Sequence, residues 1–128
     1  MRVIQGRSGA ASVHASGTFT GDVWSDGVML DDANVRVNEV IFTPCAHTYW
    51  HSHEGGQLLQ VLRGRGFVCS KGGDPVAITQ GDTVWVPAGE IHWHGGAKDS
   101  LMAHTAISLG KTTWLEAVAD DEYEAAAH

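Results

Sequence analysis

Between residues 35 and 109 the chain is a run of short segments rich in valine, isoleucine, threonine and aromatic residues, each closed by glycine, proline or another turn former. The segments cover residues 35–43, 48–53, 57–63, 66–71, 76–79, 83–86, 91–95 and 101–109, with a further short strand at 19–24. Strands this short and this closely spaced fold into a sandwich or a small barrel. Sixteen glycines against three prolines favour the same all-β reading. Gly21-Asp22 and Asp26-Gly27 read as turns, and Leu62-Arg63-Gly64-Arg65-Gly66-Phe67 reads as a hairpin connection. The pattern changes at the C-terminus. Thr113-Trp114-Leu115-Glu116 has the capping-box spacing of a helix start, and Asp120-Asp121-Glu122 places negative charge at the start of a second helical stretch. Residues 1–18 lack periodicity and are expected to be an irregular lead-in or loose edge, with 19–128 forming one domain.

With 128 residues the chain has room for one core. A net charge of −7 with scattered Lys and Arg argues against a nucleic-acid partner. No segment has the ~20 apolar residues of a membrane span, and the first residues contain no apolar run suited to a signal peptide. Cys45 and Cys69 form no paired motif and are expected to be small buried thiols. Together these features lead us to expect a reduced, cytoplasmic protein.

The chemistry lies in the histidines. Alternation along a strand points His51 and His53 to the same face, and His92 provides a third imidazole. Neutral imidazole is the commonest transition-metal ligand, so the three are candidates to hold one ion; the alternative is a hydrogen-bonded histidine cluster without metal. Gln57 is the natural fourth ligand, or else an amide that fixes a histidine tautomer. His94 shares the parity of His92. Met102, His104, Ala106 and Ser108 share one strand face, opposite Leu101, Ala103, Thr105, Ile107 and Leu109. The first face reads as a pocket wall, the second as packing against a sheet or another subunit. Trp50, Trp85 and Trp93 are expected to pack, Tyr49 and Trp24 to border the pocket, and Glu54 and Glu90 to point outward. His14, His47 and His128 read as surface residues.

Two stretches carry a family resemblance. His51-Ser52-His53-Glu54-Gly55-Gly56-Gln57 running on to Gly64, and Gly81 through Pro87, Gly89 and His92, resemble the two signature motifs of the cupin superfamily. Cys45 stands in place of the leading glycine of the first motif, and Gly96 replaces the closing asparagine of the second. Gln57 occupies the position of the usual glutamate. A neutral amide there leaves more positive charge on a bound ion, which favours Lewis-acid over oxygen-activating chemistry.

A closer resemblance spans residues 19 to 123. Thr48-Tyr49-Trp50-His51-Ser52-His53, Gly56-Gln57, His92-Trp93-His94-Gly95 and Met102-Ala103-His104-Thr105-Ala106-Ile107 are similar to the small bacterial manganese cupins that act as hydroxynitrile lyases. That resemblance implies an all-β double-stranded β-helix, a jelly-roll barrel with a short C-terminal helix. It further implies a divalent metal, Mn²⁺ foremost with Fe²⁺, Ni²⁺ or Zn²⁺ as alternatives, held by His51, His53, Gln57 and His92. His104 and His94 would then stand beside the ion as catalytic residues, with His104 as general base or, alternatively, a structural histidine. The implied reaction is reversible cleavage of a cyanohydrin, a small-molecule substrate, by a homodimer or higher homo-oligomer. A dioxygenase or other oxidoreductase, an isomerase or decarboxylase, and a non-catalytic small-molecule-binding protein are the rival readings.

Overall fold

The computed structural model describes residues 1–6 and 9–126, and the regular structure of the described chain is strand except for one short helix. In order these are β1 (Val13–Ala15), β2 (Phe19–Thr20), β3 (Val23–Met29), β4 (Val35–Phe42), β5 (His47–Thr48), β6 (His51–His53), β7 (Gly56–Ser70), β8 (Val76–Thr79), β9 (Thr83–Val86), β10 (His92–Gly96), β11 (Met102–Leu109) and β12 (Thr112–Trp114), followed by α1 (Asp120–Ala126). One wall runs β1-β3-β4-β11-β7, and the other runs β7-β10-β5-β2, all antiparallel. The result is the expected all-β barrel with a short C-terminal helix.

The strand that joins the two walls is β7. Its first half pairs with β11 and β9, its second half with β10 and β8. The expected hairpin at residues 62–67 is therefore absent. The chain bends at Gly64 and continues into the other sheet, and Leu62 is the extra residue of a bulge opposite Ala103 and His104. Gly64 has φ +75°, and a Cβ there would run into the Leu101 carbonyl, so glycine serves a close strand crossing. Asp26-Gly27 likewise is no turn, since both pair with β4 inside β3.

The capping-box reading of Thr113–Glu116 is also corrected. Thr112, Thr113 and Trp114 extend against His53, Ser52 and His51 of β6. Pairing with an open sheet edge satisfies several backbone groups at once, which a single capped turn cannot match. The helix starts instead at Asp120, with Asp120, Asp121 and Glu122 in its first turn and the Glu122 carboxylate accepting from the Ala119 N–H at 3.3 Å. Within the N-terminal eighteen residues, Val13–Ala15 forms an edge strand on β3.

Two apolar clusters hold the barrel. Val23, Phe42, Leu59, Val61, Met102 and Ala106 pack between the walls. Trp50, Trp93, Cys69 and Val118 pack under α1 with Tyr123 and Ala126. Each such large side chain contributes about 1.5–3 kcal/mol on burial. Tyr123 anchors the helix, donating its hydroxyl to the Gly96 carbonyl at 2.7 Å and stacking on His47 at 4.4 Å. Burial pushes its phenol up to about 12. His47 is thus a buried core histidine, contrary to its surface reading, and His128 lies outside the described residues. Cys69 is buried as expected, whereas Cys45 is exposed, at φ +73°. No described helix is long and apolar enough to cross a membrane.

Candidate metal centre

Strand β6 carries His51 and His53, and β10 lays His92 directly opposite His51. Ligand-capable nitrogens of the three lie within 4.8 Å of one another. None of the three side chains is more than 4% exposed. Each ring is held by its Nδ1. That of His51 meets the Tyr49 carbonyl at 2.9 Å, that of His92 the Glu90 carbonyl at 3.1 Å, and that of His53 the Thr112 hydroxyl at 2.9 Å. With Nδ1 occupied, Nε2 is the nitrogen left for a ligand. The His53 Nε2 is buried without a hydrogen-bond partner.

Gln57, at the start of β7, joins this cluster. Its Oε1 lies 3.0 Å from the His92 Nε2, while its amide nitrogen donates to the Ser108 hydroxyl at 3.0 Å. His92 therefore faces a carbonyl oxygen with each ring nitrogen. A neutral imidazole carries one N–H, so one of these contacts sets a lone pair against an oxygen. Burial lowers the His92 pKa, which disfavours a second proton. A cation shared by Nε2 and Oε1 resolves the conflict. Three imidazoles and an amide oxygen, buried and preoriented, fit a divalent ion. Burial drives His51 well below its ordinary value, with His92 adding to the effect, and takes His53 to about 4 for the same reasons. All remain neutral ligands at pH 7.

The sequence-derived catalytic pair lies next to this cluster. His104 Nε2 and His94 Nδ1 are 3.0 Å apart, and the His94 ring centroid is 5.3 Å from that of His51. Both are buried, which lowers His94 well below its usual range, with His104 adding to the effect, and takes His104 to about 4. Their outer nitrogens, His94 Nε2 and His104 Nδ1, have no hydrogen-bond partner. Alternation placed both correctly.

All of these except His92 line a cavity of ≈360 Å³. Its apolar walls come from Phe19, Val40, Phe42, Ala106 and Trp114. Trp114 packs against His51, with ring centroids 4.5 Å apart. Tyr49 and Trp24 were expected at the border, but Trp24 stacks on exposed His14 and Tyr49 contributes only its carbonyl to His51. Trp50 and Trp93 pack as expected, whereas Trp85 is 54% exposed. Glu54 is exposed, and Glu90 accepts from the Ser70 hydroxyl at 2.9 Å, outside the cluster. Ser108 lines the cavity on the expected pocket face, whereas Thr112 and Trp114 were missed as site residues. The spacing of Thr112 and Trp114 is itself strand-like, a signal masked by the apparent helix cap.

The Cupin domain family model matches residues 38–107. A relative from Granulicella tundricola, named (R)-mandelonitrile lyase, is 42% identical over 111 residues, which cover 82% of this chain and 85% of the relative. A cupin-like protein from Thermotoga maritima, solved by crystallography, is similar with a TM-score of 0.86 and 37% identity over 98% of each chain. The polyketide cyclase RemF from Streptomyces resistomycificus shares the fold, with a TM-score of 0.72 at 17% identity, over 97% of this chain and 92% of its own.

Proposed function

The chain belongs to the cupin family, and we propose that it is a metal-dependent lyase that reversibly cleaves a cyanohydrin into an aldehyde and hydrogen cyanide. The observation that carries this reading is the His94–His104 pair beside the three-histidine cluster. In a neutral pair one ring donates across the 3.0 Å contact and the other accepts. Whichever way the proton lies, one outer nitrogen is a bare base and the other an N–H acid. Cyanohydrin cleavage needs both. The base takes the hydroxyl proton, the carbon–carbon bond breaks as the carbonyl forms, and cyanide leaves with a proton.

Burial keeps both rings neutral at pH 7, as this role requires. His51, His53, His92 and Gln57 would hold the ion, for which Mn²⁺ is the proposed occupant. A divalent ion bound there supplies Lewis-acid stabilisation of negative charge developing on oxygen. Phe19, Phe42 and Trp114 would seat the aldehyde's organic group and exclude water. The (R)-mandelonitrile lyase relative supports the same chemistry.

The test is benzaldehyde release from mandelonitrile by Mn²⁺-loaded and metal-stripped protein, with elemental analysis of each. Release that follows about one metal per chain supports the lyase. Bound metal without release under any loading removes it in favour of another cupin reaction or a binding role.

A further inference from the structure

One permanently charged side chain lines the cavity. Arg36 lies on the face of β4 that also presents Asn38, Val40 and Phe42 to the interior. Four other cations are matched: Arg2 with Asp31 at 3.0 Å, Arg65 with Asp99 at 2.9 Å, Lys71 with Glu116 at 3.7 Å and Lys98 with Glu124 at 2.7 Å; Arg63 and Lys111 have no such partner among the described residues, but neither lines the cavity. Among the described residues no carboxylate comes within ion-pair distance of Arg36. The acids that share its outer rim are Asp31, Asp32 and Glu54. Asp31 is held by Arg2, and Asp32 accepts the backbone N–H groups of Asn34 and Val35 at 2.8 and 3.2 Å. In a chain of net charge −7, an arginine left without a counter-charge at a pocket mouth has an anion-binding face to spare.

Its neighbours are suited to the same ligand. The Asn38 Oδ1 accepts from the Ser25 hydroxyl at 3.5 Å, which leaves the Asn38 amide N–H groups to donate. Both Asn38 and Ser25 line the cavity. The register fixes how far this polar end stands from the histidine cluster. Arg36 pairs with Ser108 on one side of β11, and Ser108 pairs with Gln57 on the other. Arg36 and Gln57 thus face the cavity from the same rung, two strand spacings or roughly 10 Å apart. A ligand that reaches from one to the other has a reacting carbon at the cluster, a flat or short apolar spacer against Phe42 and Trp114, and an acceptor at its far end.

We propose that the natural substrate carries a carboxylate distal to its reacting carbon, and that Arg36, with Asn38, binds that carboxylate. The substrate class is an aldehyde, or its cyanohydrin, on an acid-bearing aryl or short alkyl group. This rests on the lyase reading for the chemistry at the reacting carbon, whereas the carboxylate anchor rests on the pocket alone.

The test is titration calorimetry on the Mn²⁺-loaded full-length protein with benzaldehyde and 4-carboxybenzaldehyde. The carboxylated aldehyde should bind about tenfold tighter or better, the scale of a charge-assisted pair. That ratio should fall to near one in Arg36→Met and persist in Arg63→Met, where the exposed arginine lost lies outside the cavity. No preference in the unaltered protein overturns the proposal. So does a preference that survives in Arg36→Met, because the carboxylate would then be held elsewhere, including on the ion. An Arg36-dependent preference in a protein that releases no benzaldehyde from mandelonitrile sinks the lyase and keeps the anchor. Release without the preference does the reverse.

Discussion

The Gln57 side chain donates its amide nitrogen to the Ser108 hydroxyl across 3.0 Å, and this contact anchors the amide with its Oε1 3.0 Å from the His92 Nε2. Without it the amide is free to turn its nitrogen towards the cluster, where an N–H donor repels a cation. Ser108→Ala should therefore weaken Mn²⁺ binding by about 10- to 100-fold, the usual effect of losing a residue that orients a ligand. Competition with a chromogenic chelator measures it. Affinity equal to that of the unaltered protein would show that Gln57 needs no such support, or holds no metal.

In the proposed mechanism His94 and His104, 3.0 Å apart, share one proton path, so their losses should not add. Either His104→Ala or His94→Ala should lower kcat for mandelonitrile cleavage by about 10²- to 10⁴-fold, and the double variant should be little worse than the single ones. Metal content should stay near that of the unaltered protein. Independent, multiplicative losses would argue against a shared proton path.

Six histidines are pushed below their usual pKa, in each case chiefly by burial: His47, His51, His53, His92, His94 and His104. His104 shows the sign. Between 6.5, its ordinary value, and about 4, its folded value, the unfolded chain binds a proton that the folded chain does not. Stability is thus full above pH 6.5 and is lost as the pH falls through this window, at up to about 1.4 kcal/mol per pH unit for this residue. Urea unfolding of the metal-stripped protein between pH 7 and pH 5 should show that loss, with a shallower slope in His104→Gln. A flat profile would contradict the neutral, buried state.

Gly64→Ala should destabilise the protein by about 2 kcal/mol or more, because its φ of +75° and the Leu101 carbonyl both exclude a Cβ. Thermal unfolding compared with Gly72→Ala separates the two effects. Gly72 has a similar φ of +80° but open space around it, so the excess loss at position 64 reads the strand crossing alone.

Features set by local alternation are legible in the amino-acid sequence. His51 and His53 share a face because they are two residues apart, and the same rule brings His94 and His104 into the pocket. Features set by distant partners are not. The cap-like Thr113–Glu116 yields to strand pairing because β6 offers it an open edge. His47 is buried because α1 sets Tyr123 against it, a contact between residues far apart in sequence. Gly64 resembles a turn glycine, yet its role depends on Leu101 passing close by. The inward direction of Arg36 follows from β4 periodicity, but its lack of a partner emerges only once every nearby acid is in place.

Because β7 runs through both walls and β10 must dock along its second half, the order of synthesis has a consequence for metal loading. A ribosome delivers His51, His53 and Gln57 well before His92, and the bracing Ser108, Thr112 and Trp114 follow later still. A nascent chain, or one truncated before His92, therefore offers at most an unbraced, two-histidine clamp. For an ion held by this cluster, tight capture would wait for the finished barrel, and damage near the C-terminal end should appear first as lost metal.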